Sequence, residues 1–243
     1  MRVQFLSILF LVYVVYGKKI RNADDKTRYN SCDDVFRSGY YNVSGSYNVF
    51  LNSTEPFQVH CDFAAGRTVV PIMQQKYGHI SFKRYFRDYV IGFGNQALGD
   101  FWLGLARIKT LTDNGYRVLT VTMQDCDYQI KVLRYNYFFL GPAHQRYPLH
   151  IGGYVSSHVL PDDFGYNNGM PFSTMDRPDV HSCAIYQKGG WWYNHCTLTL
   201  PTGHYYAGCY YKPSGKFYDG IYYKDWHGFG YSMKYFKMEL SNF

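Results

Sequence analysis

"SCAIYQKGGWWYNHC", residues 182–196, sets Cys183 and Cys196 around a glycine pair and a Trp-Trp-Tyr run. Two readings compete. Large aromatics beside a cysteine pack as a corner of core pinned by a disulfide, whereas Asn194 and His195 offer polar groups to a ligand. The rest of the chain has to be read before either is chosen.

Six cysteines are present: Cys32, Cys61, Cys126, Cys183, Cys196 and Cys209. In an oxidising compartment an even count suggests three disulfides, and no C-x-x-C pair supports a redox or zinc reading. The compartment is indicated by the start of the chain. Met1–Arg2 precedes the apolar run "FLSILFLVYVVY" (5–16), then Gly17 and a polar "KKIR". That is the plan of a cleaved secretory signal over residues 1–17. The run is too short to span a bilayer comfortably, and no later stretch approaches twenty apolar residues. The expectation is a secreted, extracellular protein without a membrane span. Residues 18–31 are polar and aperiodic and read as a disordered leader. The formal net charge of +7 is spread along the chain and reads as a solvated surface, not a polyanion site. No nucleic-acid motif is present. Asn42 in "NVS" and Asn52 in "NST" are glycosylation acceptors.

From Cys32 the elements are short. "GSYNVFL" (45–51) and "FQVHCDF" (57–63) alternate like two strands. In "SFKRYFRDYVIGF" (81–93) the apolar residues fall on one face of a helix that Gly92 and Gly94 end. "FWLGL" (101–105) reads as a buried strand, "ARIKTL" (106–111) as a short helix, and "YRVLTVTMQD" (116–125) as a strand. Residues 141–182 hold Gly, Pro, Asn, Asp and His with little periodicity, the mark of a functional loop or subdomain. "GIYYKDWHGFGYSMKYFKMEL" (220–240) returns to aromatic strands. The class is α+β, with an ordered first half and a loop-rich second half. Tyrosine, 27 residues in all, suits a hydrogen-bonded core and a surface able to stack on sugars or proteins.

An ordered series of motifs covers nearly all of 32–243: "SCDDVFRSG", "SGSYNV", "VHCDF", "GFGNQALGDFWLGLARIKTLT", "PFSTMD", "SCAIYQKGGWWYNHC" and "GIYYKDWHGFGYSMKYFKMEL". The series resembles the fibrinogen C-terminal domain, the module of fibrinogen, ficolins, tachylectins, tenascins and angiopoietins. The resemblance implies one domain over 32–243. It would have a central antiparallel sheet, few short helices and a loop-rich, disulfide-bonded C-terminal subdomain. It implies the bridges Cys32–Cys61 and Cys183–Cys196. Cys126 and Cys209 stand where the family usually has no cysteine. They are expected to bond to each other, the alternatives being two free thiols or a covalent dimer.

Two sites of the family are tested residue by residue. The calcium loop needs six to eight oxygens. Its counterpart here, "FSTMDRPDVHSC", looks shorter and keeps only Asp176 and Asp179 as carboxylates, with Arg177 and Pro178 between them. A metal-free loop is expected, with no cofactor. The acetyl-group pocket of the ficolin-like and tachylectin-like lectins lies beside the second bridge, where the family has a cis peptide before the second cysteine. That step is His195–Cys196 here. Thr197 follows where the lectins commonly have His. Gln187 stands at a wall tyrosine, and Phe217-Tyr218 replaces a Tyr-Ala pair. Phe229 falls near a further wall, and Tyr218 could fill the room that the alanine leaves. The candidate ligand-binding residues are therefore Gln187, Asn194, His195, Cys196, Thr197, Phe217, Tyr218 and Phe229.

No H-E-x-x-H, G-x-S-x-G or P-loop occurs, and the resemblance points to binding, not catalysis. The leading expectation is a secreted innate-immunity lectin for glycans or acetylated groups on microbial or host surfaces. The runner-up is an extracellular protein-interaction or matrix module with a degenerate sugar pocket. Without a collagen repeat or coiled coil, any oligomer would form through the domain surface.

Overall fold

The computed structural model describes residues 28–39, 43–63, 66–156, 159–213 and 215–242. The expected signal segment 1–17, the leader up to residue 27 and the Asn42 acceptor lie outside these residues. Residues 28–31, which the sequence reading put in the leader, run beside the domain. The Phe50 and Leu51 amides donate to the carbonyls of Tyr29 (2.9 Å) and Asn30 (3.0 Å).

Helix α1, Cys32–Arg37, starts where the Ser31 hydroxyl accepts the Asp34 N–H at 3.1 Å, meeting one of the amides a helix start leaves unpaired. Strands β1 (Gly45–Val49) and β2 (Phe57–Cys61) form an antiparallel hairpin. The Cys32–Cys61 bridge ties α1 to β2. Asn52 is exposed on the hairpin loop.

The main sheet begins with β3, Val70–Gln75. Next come helix α2 (Phe86–Ile91), the short strands β4 (Phe93–Gly94) and β5 (Phe101–Trp102), and helix α3 (Leu105–Asp113). Strands β6 (Val118–Gln124), β7 (Ile130–Leu140), β8 (Leu149–Ser156) and, far along the chain, β9 (Tyr235–Ser241) complete it. The spatial order is β4-β5-β3-β9-β6-β7-β8, antiparallel throughout. Strand β9 lies between β3 and β6, so Tyr235–Ser241 sits mid-sheet. Phe236, Met238 and Leu240 are buried on one face, the period-2 pattern of a half-covered strand.

Three expectations are corrected. The helix expected over 81–93 shrinks to α2. Tyr85 is extended, the Tyr89 hydroxyl donates to the Phe82 carbonyl at 2.7 Å, and Asp176 Oδ1 accepts the Phe86 N–H at 3.0 Å. Side chains thus satisfy the backbone that another helical turn would have satisfied. The irregular stretch 141–182 contains β8, paired with β7 from Leu133↔Ser156 to Leu140↔Leu149. Its Gly152-Gly153 centre hid the alternation. Conversely, among the aromatics of 220–240 only the end forms a strand. Thr199↔Tyr223 and Tyr210↔Tyr231 are isolated bridges, and Lys224–His227 is a short helix.

Between β8 and β9 the chain forms the loop-rich half around helices α4 (Cys183–Gln187) and α5 (Lys224–His227). Its core is aromatic: Trp102, Phe164, Phe172, Trp191 and Trp192 are each no more than 1% exposed and meet edge-on or tilted, with Phe164 and Trp191 stacked. Cys126, in the β6–β7 turn, is bonded to Cys209, and Cys183 to Cys196. Among the described residues no helix is long and apolar enough to cross a membrane.

Candidate functional site

The site is built from α4 outward. Asp179, 9% exposed, accepts the backbone N–H groups of His181 (3.0 Å), Cys183 (3.0 Å) and Ala184 (2.9 Å), so one carboxylate meets the open amides at the helix start. Asp176 Oδ1 accepts from the Phe86 amide and from the Thr174 hydroxyl at 2.7 Å. Arg177 lies over the Phe86 ring, 4.5 Å from its centroid. Both carboxylates of the candidate calcium loop therefore face protein donors. Among the described residues no cluster of three or more metal-ligating side chains occurs.

Helix α4 ends at Gln187, whose amide nitrogen donates to the Tyr218 carbonyl and to the Tyr222 hydroxyl, each at 2.7 Å. The glycines that follow are required by close packing. A Cβ on Gly189 would meet the Thr202 carbonyl oxygen at 2.5 Å, and one on Gly190 would meet the Tyr89 ring at 2.5 Å. Trp191, Trp192 and Tyr193 are buried, at 0%, 0% and 2% exposure. The Trp192 indole donates to the Tyr147 carbonyl at 2.8 Å, and the Tyr193 hydroxyl to the Gly189 carbonyl at 2.7 Å. Burial raises the Tyr193 phenol well above its ordinary range, so it remains a neutral donor. This run is core.

The chain then turns through a cis peptide at His195–Cys196. The Asn194 side chain donates to the Tyr166 carbonyl at 3.0 Å, and its amide donates to the Cys196 carbonyl at 2.7 Å. The buried Thr197 hydroxyl sits between Asn167 Oδ1 (3.0 Å) and the Thr199 carbonyl (2.7 Å). Asn167, fully buried, donates its other side-chain group to the Trp192 carbonyl at 2.7 Å. The turn is thus held from behind.

Its other side opens on a pocket of about 330 Å³. Cys196, Thr197 and Gln187 line it together with Tyr222, which burial keeps protonated by raising its phenol far above the usual value. Phe217, Tyr218 and Phe229 form aromatic walls. Phe217 is braced by Tyr186 (ring centroids 4.8 Å apart, 19° between planes), and Tyr218 stacks at 6.0 Å and 22° on Phe229. Tyr218 is 41% exposed. It stands as a wall, and the pocket remains open with the tyrosine in place. At the rim the His181 and His195 rings meet edge to face at 4.3 Å, and Lys216 is exposed beside Phe217.

The structure brings Gln187, His195, Cys196, Thr197, Phe217, Tyr218 and Phe229 around one cavity. Asn194 does not line it and serves the turn. Four lining residues escaped sequence reasoning: His181, Leu198, Lys216 and Tyr222. His181 lies within the "DVHSC" stretch already singled out, and Lys216 directly precedes Phe217. Those placements were the only signal. A second cleft of about 400 Å³ lies beyond Gln187, with Asp219 in its wall. Asp219, 3% exposed, accepts from the Tyr206 hydroxyl at 2.9 Å and pairs with Lys188 at 3.3 Å.

Comparison with known proteins agrees with this fold. The family described as "Fibrinogen beta and gamma chains, C-terminal globular domain" matches residues 28–242. Fibrinogen-like protein 1 of Bos taurus is 32% identical over 230 residues, covering 88% of this chain and 72% of the relative. Angiopoietin-related protein 7 of Mus musculus is 36% identical over 217 residues, covering 86% of this chain and 62% of the relative. Among solved structures, the fibrinogen-like globe domain of human ANGPTL2 superposes with a TM-score of 0.80 at 33% identity, covering 88% of this chain and 99% of that one. Lamprey fibrin D-dimer, complexed with the peptide Gly-His-Arg-Pro-amide, superposes with a TM-score of 0.79 at 28% identity, covering 91% and 76%.

Proposed function

The chain belongs to the fibrinogen C-terminal globular domain family, and on that premise we propose that it is a secreted, non-catalytic recognition protein. Its ligand enters the pocket beside the Cys183–Cys196 bridge. The pocket takes an acetylated group of a surface glycan, in keeping with an innate-immunity role. The observation that carries this reading is the convergence of a turn, three aromatic walls and a disulfide on about 330 Å³. That is the lower end of small-molecule sites, roughly 300–1,000 Å³, so it suits one sugar ring with its acyl group and not a long chain. Its buried hydroxyls, those of Thr197 and Tyr222, are committed elsewhere: Thr197 to Asn167 and Thr199, Tyr222 to the Thr197 carbonyl at 3.4 Å. Neither is paired with a base as a nucleophile would be. Asn52 is exposed and fits a glycosylated surface of a secreted protein.

A glycan array rich in N-acetylated sugars, probed with and without EDTA, tests this. EDTA-insensitive binding to N-acetylated sugars, lost in Phe217→Ala, is expected. A folded protein that binds no glycan refutes it. The second reading, a protein ligand, is favoured by the lamprey relative, whose complex contains a short peptide. It would take over if the array is silent and a peptide competes for the pocket.

A further inference from the structure

A separate cleft of about 380 Å³ is lined by the β1–β2 hairpin, by β4 and β5, and by Arg107 of α3. It shares no lining residue with the pocket beside the Cys183–Cys196 bridge. Its polar side chains are Ser46, Gln58, His60, Asn95, Gln96 and Arg107, and no aspartate or glutamate lines it among the described residues. Ser46 and His60 stand opposite each other in the hairpin, and Gln58 is two residues along the same strand, so all three share one face. Arg107 is a cation without a counter-ion. Its guanidinium donates to the Gln58 carbonyl and lies over the Phe57 ring, 4.9 Å from the centroid. No acidic side chain pairs with it among the described residues, and its Nε meets no acceptor. Burial works against its charge and lowers its pKa. A guanidinium keeps that charge all the same, so an anion brought to it relieves a standing cost. Asp62, just beyond β2, is already engaged by the Ser44 hydroxyl at 3.1 Å and by Lys237 at 3.7 Å. A second cation, Arg84, lies 5.4 Å from the ring centroid of Phe93, a wall residue.

The strand beside Arg107 also has an open edge. Asp62 exchanges both of its backbone hydrogen bonds with Val69, at 2.8 and 2.9 Å, on the side away from β1. Alternate residues of an antiparallel strand turn to alternate sides, so Gln58 and His60 turn their backbone groups the same way as Asp62. The Gln58 carbonyl meets Arg107, and the His60 N–H and C=O have no partner on that side among the described residues. We propose that this cleft docks an extended acidic segment of a partner protein. A glutamate of the segment lays its carboxylate on Arg107, and its backbone runs along the open edge at His60, as an added strand does. Ser46 and Asn95 supply further donors. Asn95 Oδ1 already accepts the Ala97 N–H at 2.9 Å, which leaves its N–H₂ to donate. Charge complementarity selects this occupant: a basic segment would meet Arg107 and Arg84 with no carboxylate to receive it. The site is independent of the acyl-pocket reading.

The test is fluorescence anisotropy of a labelled peptide, acetyl-Thr-Val-Glu-Val-Thr-amide, titrated with the full secreted chain at about 50 mM and about 500 mM salt. Peptides with Gln or Lys at the centre serve as comparisons, and free succinate as a competitor. The Glu peptide should bind roughly 10-fold more tightly than the Gln peptide at low salt, with the Lys peptide weaker still, and the gap should narrow at high salt. Gln58→Glu changes an exposed side chain and sets a carboxylate beside Arg107, so it should erase the preference with the melting temperature unchanged. Arg107→Gln should erase it as well, and Arg107→Lys should keep part of it. In amide NMR spectra the Glu peptide should shift His60 and its strand neighbours. Equal binding of the three peptides, binding of none, or a preference that survives Gln58→Glu in the folded protein would overturn the proposal. Succinate matching the peptide's affinity, with the His60 amide unmoved by the peptide, would overturn the docking of an extended segment.

Discussion

Asp163 offers a direct test of the loop-rich half. Its side chain is 1% exposed. One carboxylate oxygen accepts the Asp225 N–H at 2.8 Å, and the other meets no donor among the described residues. Burial raises its carboxyl from 3.8 to about 7, with the neighbouring Asp225 carboxyl adding to the rise against the opposing backbone hydrogen bond. Below pH 3.8 the folded and unfolded chains both hold the proton, and the group costs nothing. As pH rises the unfolded chain releases its proton first, so the fold loses stability up to about pH 7. Three units of displacement correspond to roughly 4 kcal/mol. Sharing of the proton with Asp225 reduces this to about 2–4 kcal/mol. Asp163→Asn keeps the shape and the acceptor for Asp225, and its new N–H₂ can donate to the Asp225 carboxylate. The variant should therefore match the parent near pH 4 and exceed it by about 2–4 kcal/mol at pH 8. Urea denaturation followed by tryptophan fluorescence at a series of pH values measures the difference, which cancels the titration of groups not coupled to Asp163. A difference that does not change with pH would refute the claim that Asp163 is buried with a raised pKa.

Further outcomes follow from the same contacts. Replacing Cys126 and Cys209 together by alanine opens a loop spanning a sequence separation of 83. By chain entropy this should cost about 4–5 kcal/mol, read as a lower denaturation midpoint, with pocket binding retained. Asp179→Ala leaves three amides without their acceptor and should cost about 3–5 kcal/mol, while millimolar calcium or EDTA should move the parent's melting temperature by no more than about 1 °C. Gly190→Ala drives a methyl group to 2.5 Å from the Tyr89 ring and should destabilise by about 1–3 kcal/mol in thermal melts.

Much of the frame was legible because it is local. Alternation in 45–51, 57–63 and 116–125 reports one buried face, and that pattern needs no partner to be visible. The hidden elements were those whose backbone is satisfied from a distance. The turn expected to be helical at 81–85 is held extended by Tyr89 and by Asp176, 90 residues away. Strand β8 carries two glycines at its centre and owes its form to pairing with β7. The family resemblance named the neighbourhood of the site but not its complete lining. Leu198 and Tyr222 have no signature in a linear chain, and His181 and Lys216 read as ordinary surface.

The quoted stretch shows where the division falls. Its residue types pointed to burial of Trp191, Trp192 and Tyr193, because so much apolar surface beside a cysteine packs readily as core. Whether Asn194 and His195 serve structure or ligand could not be read from the chain. Tertiary structure separates the two by placing Tyr166 against Asn194 and the open pocket, with His181 and Lys216 at its rim, beside His195. A polar side chain's role depends on which groups from distant segments reach it first, and that is a property of the assembled fold.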